Sequence, residues 1–177
     1  MKFILISGKS GHGKDTAAKI IREEMKKRDK TSLVIHYADL LKYICKIYFG
    51  WDGNKDKKGR DLLQSVGTDR IRNINPDFWV NFVLSLVKFF PDTYDYIIIP
   101  DLRFPNEINR IKEEGYDVCH VRIVRENYNS TLDDSQQLHI SETAMDDIKP
   151  DFWIFNNDIE LFAENVRNFI NYYTEEI

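Results

Sequence analysis

Two scarce or missing features narrow the classes of protein to which this sequence can belong. Cysteine is scarce: Cys45 and Cys119 lie far apart and match no metal-binding spacing, so we expect reduced thiols in a cytoplasmic protein rather than a disulfide framework. A membrane-spanning segment is missing, because the apolar opening at residues 3–6 is too short to cross a bilayer and continues into a glycine-rich loop. We therefore expect a buried first strand there, with neither a secretory signal nor a membrane anchor.

The sequence also lacks an excess of basic residues. Its 25 Lys and Arg residues are outnumbered by 29 Asp and Glu residues, which gives a net charge of -4. Because binding to a nucleic-acid polymer depends on neutralising phosphates, this balance argues against such a partner, although a local basic cleft for a nucleotide is compatible with it. A hydrophobic fraction of 42% over 177 residues is typical of one compact folded domain.

Short apolar runs alternate with longer helical patterns along the chain. The predicted strands cover residues 2–7, 33–37, 96–100, 118–124 and 152–155, and the predicted helices cover residues 14–28, 106–114 and 160–173. Residues 39–90 are expected to be mainly helical, with turns at residues 50–59 and 73–76. The order predicts a three-layer α/β domain over residues 1–177, in which helices flank a parallel sheet. The polar residues 127–137 indicate a mobile excursion at the sheet's edge.

The strongest motif is a glycine-rich loop between the first predicted strand and the first helix. It reads Gly8-Lys9-Ser10-Gly11-His12-Gly13-Lys14-Asp15-Thr16. Glycines in this context allow successive backbone N–H groups to turn inward around phosphate oxygens, and the helix N-terminus adds a favourable dipole. Lys14 can reach the β- and γ-phosphates as a mobile charge. The segment is therefore predicted to bind the phosphates of a nucleoside triphosphate; the alternative is a glycine-rich turn without a ligand.

One position departs from the general pattern of such loops. Asp15 stands where a Ser or Thr hydroxyl would ligate Mg²⁺. A carboxylate can still hold Mg²⁺ directly or through water, and Thr16 offers a hydroxyl one residue later, toward the α-phosphate. We expect Asp15 and Thr16 to contribute to a metal site, and His12 to be a tolerated loop residue rather than a catalyst.

A second acidic site is predicted where the apolar run at residues 96–100 ends in Asp101. In a P-loop fold, a carboxylate at this place orients the water shell of the metal. Arg103 follows two residues later and could hold a phosphate through two parallel hydrogen bonds. The alternative is structural: Asp101 caps the next helix, and Arg103 pairs with Glu107.

Five segments together form a more specific pattern than the glycine loop alone. They are Gly-Lys-Asp-Thr at 13–16, Arg-Asp-Leu-Leu-Gln-Ser-Val-Gly-Thr-Asp-Arg at 60–70, Asp-Leu-Arg-Phe-Pro-Asn-Glu at 101–107, His-Ile-Ser-Glu at 139–142 and Asp-Phe-Trp-Ile-Phe-Asn-Asn-Asp at 151–158. In register over nearly the whole chain, this pattern resembles the deoxynucleoside monophosphate kinase family of bacteriophages and bacteria. The resemblance implies a P-loop fold like that of nucleoside monophosphate kinases, which passes a phosphate from ATP to a dNMP with Mg²⁺.

The resemblance also implies an acceptor site in the helical region at residues 39–90. Asp39 and Lys42 would border it after the second strand, and Arg103 would lie below the acceptor phosphate. Its helical wall would be lined by Arg60, Gln64 and Arg70. As alternatives, Lys42 and Arg60 are solvated surface residues, and Gln64 only caps or bridges helices.

Related kinases carry lid arginines near residues 125–141, where this chain has its polar segment. Because side chains alternate along a strand, Arg122 and Arg125 should face opposite sides, so that only one reaches the site. We favour Arg125, which is nearer the polar segment. After the last strand, the resemblance places Asn156 against the adenine, whereas we expect Asp158 to cap the closing helix.

The sequence therefore predicts a phosphotransferase that moves the γ-phosphate of ATP to a (deoxy)nucleoside monophosphate with Mg²⁺. The implied catalytic residues are Lys14, Asp101, Arg103 and Arg125. Alternatives are a P-loop kinase for another small phosphorylated acceptor, such as a coenzyme precursor or phosphomevalonate, and a catalytically silent nucleotide-binding module. The expected partners are small nucleotides, without a nucleic-acid polymer or membrane, in the cytoplasm (the host's if the chain is phage-encoded). The accepted base, the sugar preference and a homodimer are left open.

Overall fold

A five-stranded parallel sheet forms the centre of the computed structural model, which describes residues 1–175. The strands are β1 (Lys2–Ser7), β2 (Ser32–Val34), β3 (Tyr96–Ile99), β4 (Asp117–Val124) and β5 (Phe152–Phe155), in the spatial order β2-β3-β1-β4-β5. Strand β1 pairs with β3 from Lys2 opposite Tyr96 and with β4 from Lys2 opposite Asp117. The carboxyl ends of all the strands consequently meet at one edge of the sheet, and the loops after β1 and β3 are neighbours there.

Helices occupy both faces of the sheet. They are α1 (Lys14–Lys27), α2 (Ala38–Tyr48), α3 (Lys57–Gln64), α4 (Phe78–Lys88), α5 (Pro105–Glu113), α6 (Asp134–Leu138), α7 (Ile140–Thr143) and α8 (Ile159–Glu175), with a π-helical segment at Ser65–Arg72 between α3 and α4. This arrangement confirms the predicted α/β class with a parallel sheet between helical layers.

The alternation of side chains along β1 explains why both faces are covered. Ile4 and Ile6 are fully buried in one core with residues of α1 and α8, such as Ile21 and Phe162. Phe3 and Leu5 are fully buried in a second core on the opposite face, formed with α4 and α5. A strand that is apolar at every position has to be buried on both faces, as the sequence predicted.

The second strand is shorter than predicted. It ends at Val34, although the Ile35 N–H still donates to the Ile98 carbonyl at 3.0 Å. The backbone then leaves the sheet, because the N–H groups of Tyr37 and Ala38 donate to the Asp101 carboxylate instead of a neighbouring strand. The tertiary partner, which lies far away in sequence, decides this boundary.

The helical region between β2 and β3 has a small core of its own, in which Cys45, Trp51 and Val66 are buried. Helix α3 begins inside the predicted turn, where the Asp56 carboxylate accepts the Gly59 N–H at 2.8 Å. Neither cysteine forms a disulfide, as predicted, and both are buried.

The polar segment after β4 folds back over the helical region. It contains the short helices α6 and α7, and the Gln136 side chain donates to Asp61 of α3 at 2.7 Å. Lys57 of α3 forms an ion pair with Asp133. The mobility of this segment stays a prediction. Within residues 1–175, no helix combines the length and the apolar character needed to cross a bilayer.

Candidate active site

The glycine-rich loop connects the end of β1 to the start of α1 at the carboxyl edge of the sheet. Gly8 and Gly13 adopt φ angles of 145° and 98°, which side-chain-bearing residues rarely adopt. A Cβ on Gly8 would lie 2.5 Å from the Ile123 carbonyl oxygen, and one on Gly13 would lie 2.6 Å from Asn156 Nδ2. Backbone conformation therefore favours glycine at both positions, and close packing against the backbone of Ile123 adds to this at Gly8.

Lys14 is folded back into this loop. Its ammonium donates to the carbonyl oxygens of Gly8 at 2.8 Å and Lys9 at 2.9 Å. Burial, followed by the nearby Arg103 guanidinium, lowers the pKa of Lys14 from 10.5 to about 7. The negative charges of Glu142, Asp15 and Asp101 act on the same ammonium in the opposite direction. The site thus concentrates charged groups around a lysine that an anion would stabilise in its protonated form.

Asp15 lies at the start of α1 and faces His36, which the sequence analysis did not single out. His36 Nε2 donates to Asp15 Oδ1 at 3.0 Å, and His36 Nδ1 lies 3.5 Å from Asp39 Oδ2. The hydrogen bond raises the pKa of His36 and lowers the pKa of Asp15. Thr16 is exposed beside them. The imidazole therefore links the phosphate loop to the predicted acceptor-site residue Asp39, which also pairs with Lys42 at 3.1 Å.

Asp101 follows β3 and caps a helix, although not the helix proposed as the alternative. Its two carboxylate oxygens accept the backbone N–H groups of Tyr37 at 3.0 Å and Ala38 at 2.9 Å, at the start of α2 rather than of α5. This contact places Asp101 between the phosphate loop and the acceptor region. Each carboxylate oxygen accepts one N–H and retains further acceptor capacity.

Glu107 supports this corner of the molecule from inside. Its side chain is fully buried and pairs with Arg72 at 2.5 Å, so the proposed Arg103–Glu107 side-chain pair is not formed. Glu107 Oε2 instead accepts the backbone N–H groups of Arg103 and Phe104 at 2.9 and 3.1 Å. The Arg72 guanidinium lies 4.0 Å from the centre of the Phe104 ring. The backbone of Arg103 is therefore held by a buried ion pair between the π-helical segment and α5.

The Arg103 guanidinium turns toward α7 and the phosphate loop. Arg103 Nη1 pairs with Glu142 Oε1 at 2.6 Å and donates to the Ser141 carbonyl at 3.2 Å. Arg122, the arginine that we did not favour, also faces this region and pairs with Asp146 at 2.6 Å. Glu142 belongs to the His-Ile-Ser-Glu segment that we had recognised without giving it a role, and Asp146 lay outside every recognised motif.

Arg125 lies beyond the end of β4 and is exposed. Its backbone N–H donates to His12 Nδ1 at 3.2 Å, and its guanidinium lies 4.7 Å from the centre of the Tyr128 ring. His12 therefore connects the loop to the end of β4, and its expected lack of a catalytic role stays a prediction. The catalytic role of Arg125 stays a prediction.

The residues that follow β5 hold the loop and the closing helix. Asn156 Nδ2 donates to the His12 carbonyl at 2.8 Å, which braces the phosphate loop; its predicted contact with adenine is not tested by this bond. Asp158 accepts the N–H groups of Glu160 and Leu161, both at 2.9 Å. The expectation that Asp158 caps α8 is confirmed.

The predicted acceptor wall lies on α3 and the π-helical segment. Arg60 Nε donates to the Lys55 carbonyl at 2.8 Å. Within the described part of the chain, the side chains of Gln64 and Arg70 have no hydrogen-bond or ion-pair partner. Two polar side chains of the wall are thus available to a ligand, one of them cationic.

The comparisons with known proteins agree with this geometry. The family profile described as "Deoxynucleotide monophosphate kinase" matches residues 44–166, which is more than half of the chain. The match begins after the phosphate loop, so the loop is an observation independent of this match.

A curated relative and two solved structures extend the comparison. The deoxynucleotide monophosphate kinase of Enterobacteria phage T4 is 33% identical over 109 residues, which cover 59% of this chain but only 42% of that protein. The chain thus aligns with less than half the length of this relative. Shikimate kinase from Bacteroides thetaiotaomicron has a TM-score of 0.55 at 10% identity, covering 98% of each chain. An APS kinase of Mycobacterium tuberculosis, solved in complex with AMPPNP and APS, has a TM-score of 0.53 at 12% identity, covering 96% of this chain and 95% of that one.

The two structural likenesses show a P-loop kinase fold, and the family profile gives a narrower assignment. On that match, the chain belongs to the deoxynucleotide monophosphate kinase family.

Proposed function

We propose that the chain transfers the γ-phosphate of ATP to a deoxynucleoside monophosphate, which yields ADP and the deoxynucleoside diphosphate. One observation carries this proposal: the phosphate loop with Lys14 and the cationic Arg103 lie at the carboxyl ends of the adjacent strands β1 and β3. Ligands of open parallel α/β sheets bind in this position. A donor and an acceptor phosphate could therefore meet between the loop and Arg103.

Phosphoryl transfer requires positioned charge more than covalent chemistry. The loop amides and Lys14 would hold the donor phosphates, and Lys14 would leave its carbonyl partners to do so. Arg103 would bind the acceptor phosphate, and Arg125 would neutralise charge on the transferred group after closure of the polar segment. The attacking oxygen of a monophosphate is already anionic, so this reaction needs no general base.

The oxygen donors near the loop fit Mg²⁺. Asp15, Thr16 and Asp101 offer two carboxylates and a hydroxyl, which are hard ligands of the type that Mg²⁺ prefers. Among residues 1–175, no group of three or more His, Cys, Asp and Glu side chains could hold a metal ion by itself. This agrees with an ion held by one or two carboxylates, waters and substrate phosphates. When bound, it would supply positive charge at the β- and γ-phosphates.

The acceptor nucleoside would lie against α2, α3 and the π-helical segment. Asp39 and Lys42 border this space, and Arg60, Gln64 and Arg70 line it. Gln64 and Arg70 are the strongest candidates for direct contacts, because neither side chain is engaged with another described residue. We place the reaction in the cytoplasm, in keeping with the phage relative and with nucleotide substrates.

A coupled ADP-release assay with Mg·ATP tests the proposal against a panel of dNMPs, NMPs and unrelated phosphorylated acceptors. We expect turnover with one or a few dNMPs. Turnover only with an unrelated acceptor would contradict the nucleotide assignment, and ATP binding without turnover on any acceptor would contradict catalysis.

Two variants locate the donor and acceptor groups. Lys14→Ala should nearly abolish turnover, whereas Lys19→Ala, at an exposed position of the same helix, should leave it unchanged. Arg103→Ala should raise the KM for the acceptor or lower kcat while sparing ATP binding. Unchanged acceptor kinetics would remove Arg103 from the site.

A further inference from the structure

Two carboxylates outside the proposed reaction occupy the phosphate-binding groups. Glu142 Oε2 accepts the Ser10 N–H of the phosphate loop at 3.3 Å, while Glu142 Oε1 pairs with Arg103 at 2.6 Å. One carboxylate therefore satisfies both a loop amide and the arginine that we assign to the acceptor phosphate. The Glu142 side chain is only 8% exposed, so its ion pair with Arg103 is not a solvent-exposed surface pair.

Asp146 extends the same arrangement. Its two oxygens pair with Lys9 and Arg122, each at 2.6 Å. The Lys9 ammonium also donates to the Glu142 carbonyl at 2.7 Å. Two carboxylates that follow β4 in the sequence thus neutralise three cations beside the loop.

The space between these groups is almost filled. The cavity lined by Gly8, Lys9, Arg103 and Glu142 has a volume of about 10 Å³, which is room for about one water molecule. A phosphoryl group cannot enter while the Glu142 side chain stays in place. Phosphate would compete with this carboxylate for the same donors, since both are anionic oxygen acceptors.

We propose that the Glu142 carboxylate is a built-in placeholder for a substrate phosphoryl group, and that it swings out when phosphate binds. The inference rests on the proposed function, which assigns Arg103 and the loop amides to phosphate. The Glu142 side chain can leave by rotation about its own bonds while Met145, which is 5% exposed, stays packed in the core. In the absence of substrate, the placeholder keeps Arg103 and the loop neutralised and excludes small anions.

The placeholder is also connected to the acceptor wall. His139, which precedes α7, lies with Nε2 3.3 Å from Asp69 Oδ1 of the π-helical segment, and its Nδ1 accepts the Ser141 N–H at 3.2 Å. A nucleotide that rearranges the π-helical segment would therefore displace His139 and Ser141, which precede Glu142 in the sequence. Acceptor binding would in this way favour release of the carboxylate and admission of the donor phosphates.

The test measures the affinity of the full chain for inorganic tripolyphosphate by calorimetry in wild type, Glu142→Gln and Asp147→Asn. Glutamine keeps the size of the side chain but removes the competing charge, so Glu142→Gln should bind tripolyphosphate about tenfold more tightly, the scale of one charge-assisted hydrogen bond. Asp147 is exposed and follows Asp146 in the sequence, and Asp147→Asn changes the net charge by the same amount as Glu142→Gln. Equal or weaker affinity in Glu142→Gln, or the same gain in Asp147→Asn, would overturn the proposal.

A second measurement does not depend on any variant. In wild type labelled with δ-13C-glutamate, the Glu142 carboxylate signal should take on the shift and relaxation of an exposed carboxylate when tripolyphosphate binds, and a signal that keeps its ligand-free shift and relaxation would show that Glu142 stays in place. The two proposals fail separately. Wild type without turnover on any dNMP contradicts the proposed function, whereas unaltered affinity in Glu142→Gln contradicts only the placeholder.

Discussion

Burial of the Lys14 ammonium should lower the stability of the ligand-free protein. Wild type should therefore be less stable than the Lys14→Met variant, which lacks this charge and should not bind nucleotide. Lys14 donates to two loop carbonyls, and burial with Arg103 lowers its pKa from 10.5 to about 7. A fall of about 3.5 in pKa corresponds to at most about 5 kcal/mol held against the charged form in the folded state. Lys14→Met removes this charge while keeping the apolar stem, so we expect a more stable but inactive protein.

The direction of the pH dependence follows from proton counting. Between pH 7 and 10.5 the unfolded chain keeps the Lys14 proton, while the folded chain releases it. Stability should therefore rise with pH through this interval, and Lys14 should add no pH dependence to stability well below pH 7. From pH 7 to pH 9 the rise amounts to about 2 kcal/mol, and Lys14→Met should lack it.

Urea unfolding of wild type and Lys14→Met, at half-unit intervals from pH 7 to pH 9 without nucleotide, measures this difference. The difference between the two proteins is the quantity to compare, because burial also raises the pKa of the Cys119 thiol to about 12, which makes stability fall with rising pH in both proteins. Lys19→Met, at an exposed site on α1, is the matched control and should follow wild type. Parallel curves for wild type and Lys14→Met would refute the reasoning.

Three further predictions concern the groups that support the site. His120 of β4 is buried and forms a hydrogen bond of 2.8 Å with Ser7 Oγ at the end of β1. Burial lowers the pKa of His120 from 6.5 to about 4, so its contribution to stability is complete above pH 6.5 and is lost as the pH falls. From pH 8 to pH 5 wild type should lose about 2 kcal/mol more than His120→Gln in urea unfolding. Gly13→Ala should destabilise the loop by about 1–2 kcal/mol, because alanine is strained at this left-handed φ, and thermal denaturation measures this loss. It should also weaken ATP binding, because the new Cβ displaces Asn156. Calorimetry measures the affinity for ATP, and an unchanged affinity would show that the loop adapts. Glu107→Ala leaves Arg72 buried without its partner and should cost about 3–5 kcal/mol; a loss below about 1 kcal/mol in urea unfolding would show that the ion pair does not hold this corner.

Local sequence was sufficient to predict those elements in which neighbouring residues all favour the same local structure. An apolar run, glycines and a lysine at the start of an amphipathic helix define β1, the loop and α1 within the first 27 residues. The aspartate that caps α8 and the glycine that ends α5, with φ 84° at Gly115, were likewise readable from neighbours in sequence. Such features depend on backbone chemistry within a few residues.

The recognised segments predicted which residues belong to the candidate site, but not which of these residues contact one another. Asp101 was placed correctly after β3, but the helix that it caps is α2, which precedes it by more than fifty residues. The structural alternative for Arg103, an ion pair with its sequence neighbour Glu107, is not formed, because the Glu107 carboxylate pairs with Arg72. In each case the partner that is near in space competes with the one that is near in sequence.

The contacts of Glu142 were decided by tertiary structure alone. Lys9 and Glu142 are separated by 133 positions, and the local sequence around either residue does not predict a contact with the other. They meet because parallel strands in the order β2-β3-β1-β4-β5 bring their carboxyl ends, and the loops that follow them, to one edge of the sheet. The sequence by itself indicated which residues are candidates to bind phosphate. The packing of the chain determined which carboxylates pair with those candidates, since charge pairing depends on distance in space and not along the chain.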